Sequence, residues 1–273
     1  MKIEFFYLLG YVFKVLKSYI KQKHFIVMFS TFLLIMLYGY HGNLDLLINI
    51  FPNWSEPGLN ICCREPIISF IPWDREFISF TGGFLLLVIL PLLMVKFVLK
   101  EPIVKYGISL PPPGKRKEGF FTFLILLLVL SPGFYFISKE ASMQSVYPFF
   151  KNFKSATEFI LYEITYLPFF VVIEFIFRGY LLFGLEDLSD ENLTQQNYSK
   201  NYFIGYGLVV QMLAYTAWHL GKPLPELWGT PVWGLSMGVV TYYFRSIWPV
   251  TMLHWALNVF MDAMILHNLH KLF

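Results

Sequence analysis

Apolar positions fall in long, almost unbroken blocks along this chain, and polar residues gather in the short stretches between them. A helix that crosses a bilayer needs about 20 mainly apolar residues. Blocks suited to that role lie near 25–40, 79–99, 119–138, 158–185, 202–219, 230–245 and 247–268. The fourth is long enough to tilt or to project beyond the hydrocarbon. A shorter apolar run at 5–13 predicts an eighth, interfacial segment. No internal repeat or composition shift marks a second unit, so the pattern predicts one integral membrane domain over 1–273. Its fold class is all-α, a polytopic membrane helical bundle of about seven to eight transmembrane helices.

Composition points the same way. The 273 residues are 56% hydrophobic, 20% aromatic and 14% charged, whereas a soluble domain carries about 25% charged residues. Thirty Phe, seventeen Tyr and seven Trp are more than a soluble domain of this size readily buries. Two adjacent cysteines, Cys62 and Cys63, would need a strained eight-membered ring to bridge, so no structural disulfide is expected. The first apolar run is interrupted by Lys14, Lys17, Lys21 and Lys23 and lacks a small-residue cleavage site, so it does not read as a secretory signal.

The net charge of +3 says less than where the cations fall. Lysines cluster before the first block; Lys96 closes the second, and Lys100, Lys105, Lys115, Arg116 and Lys117 lie between it and the third. The 41–78 loop has only Arg64 and Arg75. The excess of Lys and Arg in cytoplasmic loops then predicts a cytoplasmic N-terminus and a cytoplasmic 100–118 loop. The acidic, amide-rich stretch 186–201 reads as a solvated connector on that same side.

Ionisable groups inside membrane spans are costly and usually face a bundle interior or a cavity. In "VVIEFIFRGYLLFGL", Glu174 and Arg178 are spaced i, i+4, so they can meet on one helical face. Gln211, Tyr215 and His219 recur at four-residue steps, and Gly221 and Pro223 end that helix. His254, Asn258 and Asp262 make a second stripe of the same spacing. A buried ion pair could simply lock helix packing, and a lone histidine is often a satisfied core residue. Two histidines, an amide, a carboxylate and a guanidinium on three spans point instead to one shared polar site.

Such a set suits hydrolysis without a covalent intermediate. A carboxylate accepts a proton from water, while imidazole and amide groups hold the water and stabilise an oxyanion. No cysteine lies near the stripes. Two histidines and a glutamate could also bind zinc, but no H-E-x-x-H is present, and the histidines come from separate spans. No metal site and no cofactor is therefore expected.

At these residues the sequence resembles the CAAX prenyl protease and bacteriocin-processing (Abi-type) family of intramembrane proteases. That family carries E-E-x-x-x-R, F-x-x-x-H and H-x-x-x-N/D on separate helices. "IEFIFRG", "YTAWH" and "HWALN" look like these motifs, in the same order, within a family-like core of about 155–262. The resemblance implies a glutamic-type intramembrane endopeptidase with Glu174, Arg178, His219, His254 and Asn258 as its site. By matching position, Arg178 would orient the acidic residue, and His219 would help it activate water. His254 and Asn258 would stabilise the oxyanion, and Tyr215 stands where the family has Phe.

The first motif departs from the pattern. The family's first glutamate is generally the catalytic base, and here Ile173 occupies its position. Neighbouring helical residues point about 100° apart, so Glu174 is not an automatic replacement. Glu163 lies on nearly the same face as Glu174 but roughly 16 Å away along the helix, too far to share its water. The expected function is hydrolysis of a peptide bond by a Glu-activated water. The alternative is a silent relative that acts as a binding, immunity or chaperone protein. A proton-coupled transporter is a third class, weakened by the lack of repeat-related broken helices. Expected partners are the lipid bilayer and a membrane-associated protein or peptide substrate, not nucleic acid. The expected location is a bacterial inner (cytoplasmic) membrane.

The span boundaries carry one tension. They put His219 near the outer end of its helix and His254 near the inner end of its own. The two can meet only if the 220–230 segment dips into the protein or the helices are offset.

Overall fold

The computed structural model describes residues 22–39, 71–186 and 201–271. The apolar run at 5–13, Cys62 and Cys63, and most of the 186–201 connector lie outside them. Within the described residues every regular element is helical. Helix α1 is Lys23–Leu37. Helix α2 runs from Asp74–Phe84 through wider π-helical turns at Leu85–Ile89 and Met94–Leu99. Helix α3 is Arg116–Ile137, and α4 is the short Ala141–Val146. Helix α5 starts as Ala156–Glu174 and continues through a π-helical turn, Phe175–Leu181, to Gly184. Helices α6, α7 and α8 are Asn201–Trp218, Leu224–Phe244 and Trp248–Asn268.

Each of the seven expected spans has a helix in its place. Four of them, Glu76–Leu99, Pro113–Ile137, Ala156–Gly184 and Trp248–Asn268, are long and apolar enough to cross a membrane. Helix α1 is apolar but short. This is an integral membrane protein built as a helical bundle. The boundary that moves most is the start of α7, which begins at Leu224 rather than near 230. Pro225 in its first turn suits a helix start, where a missing N–H costs nothing. That shift brings Glu226 into the helix.

Helix α5 is the centre of the bundle. In its most apolar stretch 61% of the residues are buried, against none in the corresponding stretch of α3. Helix α3 instead turns Phe121, Leu128, Val129 and Phe136 outward, as a lipid-facing surface requires. Helix α5 is fixed at its start by Ser155, whose side chain accepts from Glu158 N at 3.2 Å. The Glu158 carboxylate accepts from Lys154 N at 2.7 Å, so two otherwise unpaired amides are satisfied. Around α5, helix α2 packs on its first half, α8 lies beside it, and α6 and α7 pair with each other and reach its π-helical turn.

Close packing at that turn depends on Gly179. A Cβ there would sit 2.9 Å from the Tyr106 carbonyl oxygen and 2.7 Å from the Phe175 ring. A larger residue would push α5 off the segment Ile103–Tyr106, and Arg178 would move with it.

Candidate active site

The motif carboxylate and the third-motif histidine are in direct contact. Glu174 Oε1 lies 2.7 Å from His254 Nδ1. A carboxylate oxygen beside a guanidinium can only accept, so Nδ1–H donates and the lone pair is left on Nε2. The other oxygen, Oε2, is 3.4 Å from Arg178 NH1, and both side chains of that pair are fully buried. The Arg178 guanidinium also lies 3.9 Å from the centre of the Tyr215 ring, whose π-face attracts it. The i, i+4 spacing on α5 thus forms a buried ion pair, and Tyr215 of the second motif closes over it.

The His254 ring is held by aromatic contacts on two sides. Phe170 meets it edge-on and Trp233 tilts against it, each with centres 4.9 Å away. Its side chain keeps 17% exposure, so the imidazole reaches from the buried ion pair to an open wall.

That wall belongs to a cavity of about 1550 Å³. His219, His254 and Asn258 line it together, with Ile173, Tyr147, Lys222 and Glu226 among their neighbours. The two histidines do meet around one space, and Lys222 and Glu226 of the 220–230 segment are part of its lining. The turn between α6 and α7 that brings them there contains Gly221, at φ +89°, a backbone region that favours glycine. Glu174 is not on the cavity wall. Its neighbour Ile173 is, so the position where the resembling family has its first acid faces the cavity with an apolar side chain.

His219 is fixed differently from His254. Its Nδ1 is 2.7 Å from the Tyr215 carbonyl oxygen, and its ring lies 4.4 Å from the Tyr215 ring. Its Nε2 is 3.5 Å from Glu226 Oε1. Tyr147 OH donates to both Glu226 oxygens, at 2.8 and 2.9 Å, and Lys222 Nζ donates to Tyr147 OH at 3.1 Å. Burial, followed by the Glu226 charge, pushes the Tyr147 hydroxyl well above its ordinary pKa, so it remains a donor. Burial pulls Lys222 down, while the Glu226 charge opposes that shift.

Asn258 Nδ2 donates to Asp262 Oδ2 at 3.0 Å, which makes the polar stripe of α8 a real hydrogen-bonded pair. Asp262 in turn faces Glu163, so that glutamate belongs to the α5–α8 seam. Trp255 ties the seam by donating from Nε1 to the Glu163 carbonyl at 2.8 Å. Gln211 is structural as well, donating to the Gly234 carbonyl at 2.6 Å across α6 and α7.

Residues 156–260 match the family model described as type II CAAX prenyl endopeptidase Rce1-like. This segment is similar to that family. The matched stretch holds all three motifs and every residue expected at the site. No curated protein and no solved structure matched the chain. The match and the apolar helices together support a membrane protein of the CAAX-type intramembrane protease kind. Sequence reasoning passed over Glu226 and Tyr147. The available signal was a lone acid seven residues after His219, between two apolar blocks.

Among the described residues no three His, Cys, Asp or Glu side chains form a group that could hold a metal ion.

Proposed function

We propose that this chain is a glutamic-type intramembrane endopeptidase that hydrolyses a peptide bond of a membrane-associated protein or peptide. Glu174, paired with Arg178, fixes the His254 ring and balances the charge it gains. His254 Nε2 takes a proton from a water in the cavity as that water attacks the scissile carbonyl. Asn258 lies on the same wall, where its amide would meet the developing oxyanion. The glutamate thus acts on the water through its histidine. The single observation that carries this reading is the 2.7 Å contact between Glu174 and His254 at the edge of the cavity. The proposed setting is a bacterial inner membrane with the N-terminus cytoplasmic, which rests on the lysines before the first span.

The test is cleavage of an internally quenched membrane peptide in proteoliposomes. Glu174→Gln keeps the shape but loses the charge, so cleavage should fall at least about 100-fold, the scale of general acid–base contributions. Thermal unfolding in detergent, measured alongside, separates lost chemistry from lost fold. A stable variant that cleaves as fast as the parent would sink the assignment.

One observation favours a second reading. Ile173 faces the cavity at the position of the family's first acid, as it would in a silent relative that only binds peptides. In that case the parent cleaves nothing and still binds the peptide.

A further inference from the structure

The two histidines at the cavity are wired for opposite duties. His254 donates through Nδ1 to the carboxylate paired with Arg178, so its Nε2 presents a lone pair. His219 Nδ1 faces a backbone carbonyl, which only accepts, so that nitrogen also carries a hydrogen. In neutral His219 the lone pair is therefore on Nε2, and Nε2 faces Glu226 Oε1 at 3.5 Å. Two facing acceptors repel, and one proton between them relieves the repulsion. That proton would sit on Glu226, as a neutral acid beside imidazole, or on His219, as imidazolium beside a carboxylate. Tyr147 anchors the carboxyl group by donating to both oxygens, and Lys222 anchors Tyr147. Glu226 and His219 both line the cavity that His254 lines.

We propose that Glu226, paired with His219, is the general acid that protonates the leaving amine. The assignment rests on the hydrolytic reading above. As water oxygen bonds to the carbonyl carbon, its proton passes to His254 Nε2. The C–N bond then breaks, and the nitrogen takes the proton held by Glu226 and His219. A carboxylic acid and an amine leave. The extra proton on His254 and the missing one on the Glu226–His219 pair are restored by exchange with solvent. The acid lies outside the three motifs, contributed by the first turn of α7.

The experiment compares two leaving groups on the same acyl portion. One substrate is the quenched peptide, whose amine must be protonated to leave; the other is a nitrophenyl ester, whose phenolate leaves unaided. Glu226→Gln should lower peptide cleavage at least about 100-fold but ester cleavage no more than about threefold, because only the amide needs the acid. Loss of the His254 side chain in His254→Gln should lower both. Glu226→Asp keeps the proton with a shorter reach, so it should retain more peptide cleavage than the glutamine variant. Glu76, the cavity's carboxylate from α2, is the comparison. Glu76→Gln should leave the peptide-to-ester ratio at the parent value. If Glu226→Gln does not fold, Tyr147→Phe, which loosens the carboxyl group, should lower the same ratio by a smaller factor. Equal loss on both substrates, an unchanged ratio, or a ratio that follows Glu76 instead would each overturn the assignment while leaving the hydrolytic reading intact. A parent inert toward both substrates would overturn hydrolysis, and the acid with it.

Discussion

Glu174 and His254 are eighty residues apart in sequence and 2.7 Å apart in the fold. Behind the carboxylate lies Arg178, and beyond the imidazole lies the cavity shared by His219 and Asn258. A charge buried with no exposure is tolerable only because its opposite is buried beside it. The same pairing carries that charge to a ring at the cavity wall. The pair therefore bears on stability as well as on chemistry.

Removing one partner of this buried pair should cost more than removing both. Arg178→Met leaves Glu174 enclosed without its counter-charge, and breaking a buried pair in this way costs about 3–5 kcal/mol. The double variant Arg178→Met, Glu174→Gln should regain at least about 1 kcal/mol of that loss, since contacting residues couple by about 0.5–3 kcal/mol. Denaturant unfolding of the single and double variants in detergent measures the coupling. Strict additivity would mean that the guanidinium is balanced by the Tyr215 ring rather than by the carboxylate.

Restoring the family's missing acid separates enzyme from silent relative. Ile173→Glu puts a carboxylate on the cavity wall beside the existing pair. In a parent that already cleaves through Glu174 and His254, cleavage should stay level or fall, because a second acid competes for the charge of Arg178. In an inert parent the same substitution should create cleavage. Assaying parent and variant on one fluorogenic peptide decides between them.

Cleavage should persist in strong chelators. Among the described residues no three His, Cys, Asp or Glu side chains form a group that could hold a metal ion, so a water activated by an oriented imidazole fits the cavity better than a closed zinc shell. Loss of activity in chelator, regained on adding zinc, would promote the metalloprotease alternative.

Gly179→Ala should damage the site without altering any of its polar side chains. The new methyl meets a backbone carbonyl that cannot rotate away, and overpacking of this kind costs about 1–3 kcal/mol. A lowered thermal midpoint together with reduced cleavage is expected. Gly114→Ala, exposed and away from the cavity, with a Cβ that meets no atom within 4 Å, is the comparison and should lower neither.

Much of this was legible in order of sequence. Block lengths set the helices, because a bilayer demands an apolar run of fixed length. Four-residue spacing put Glu174 with Arg178 and Asn258 with Asp262, because both pairs lie on single helices whose period is known. The three motifs gave His219 and His254. What spacing could not supply was the rotation of each helix about its own axis relative to its neighbours. Ile173 and Glu174 differ by about 100° around α5. Only packing against α6, α7 and α8 determines which of them meets the cavity, and it turns Ile173 to the wall and Glu174 to His254. The same holds for Glu226. In sequence it is an acid in a turn between two apolar blocks, with nothing to relate it to a histidine seven residues earlier. The tight reversal after Trp218 and the early start of α7 set its carboxyl group 3.5 Å from His219, with Tyr147 of a distant segment holding it there. Local periodicity fixes neighbours along one helix; contacts between helices depend on how whole faces fit, which only the assembled bundle decides.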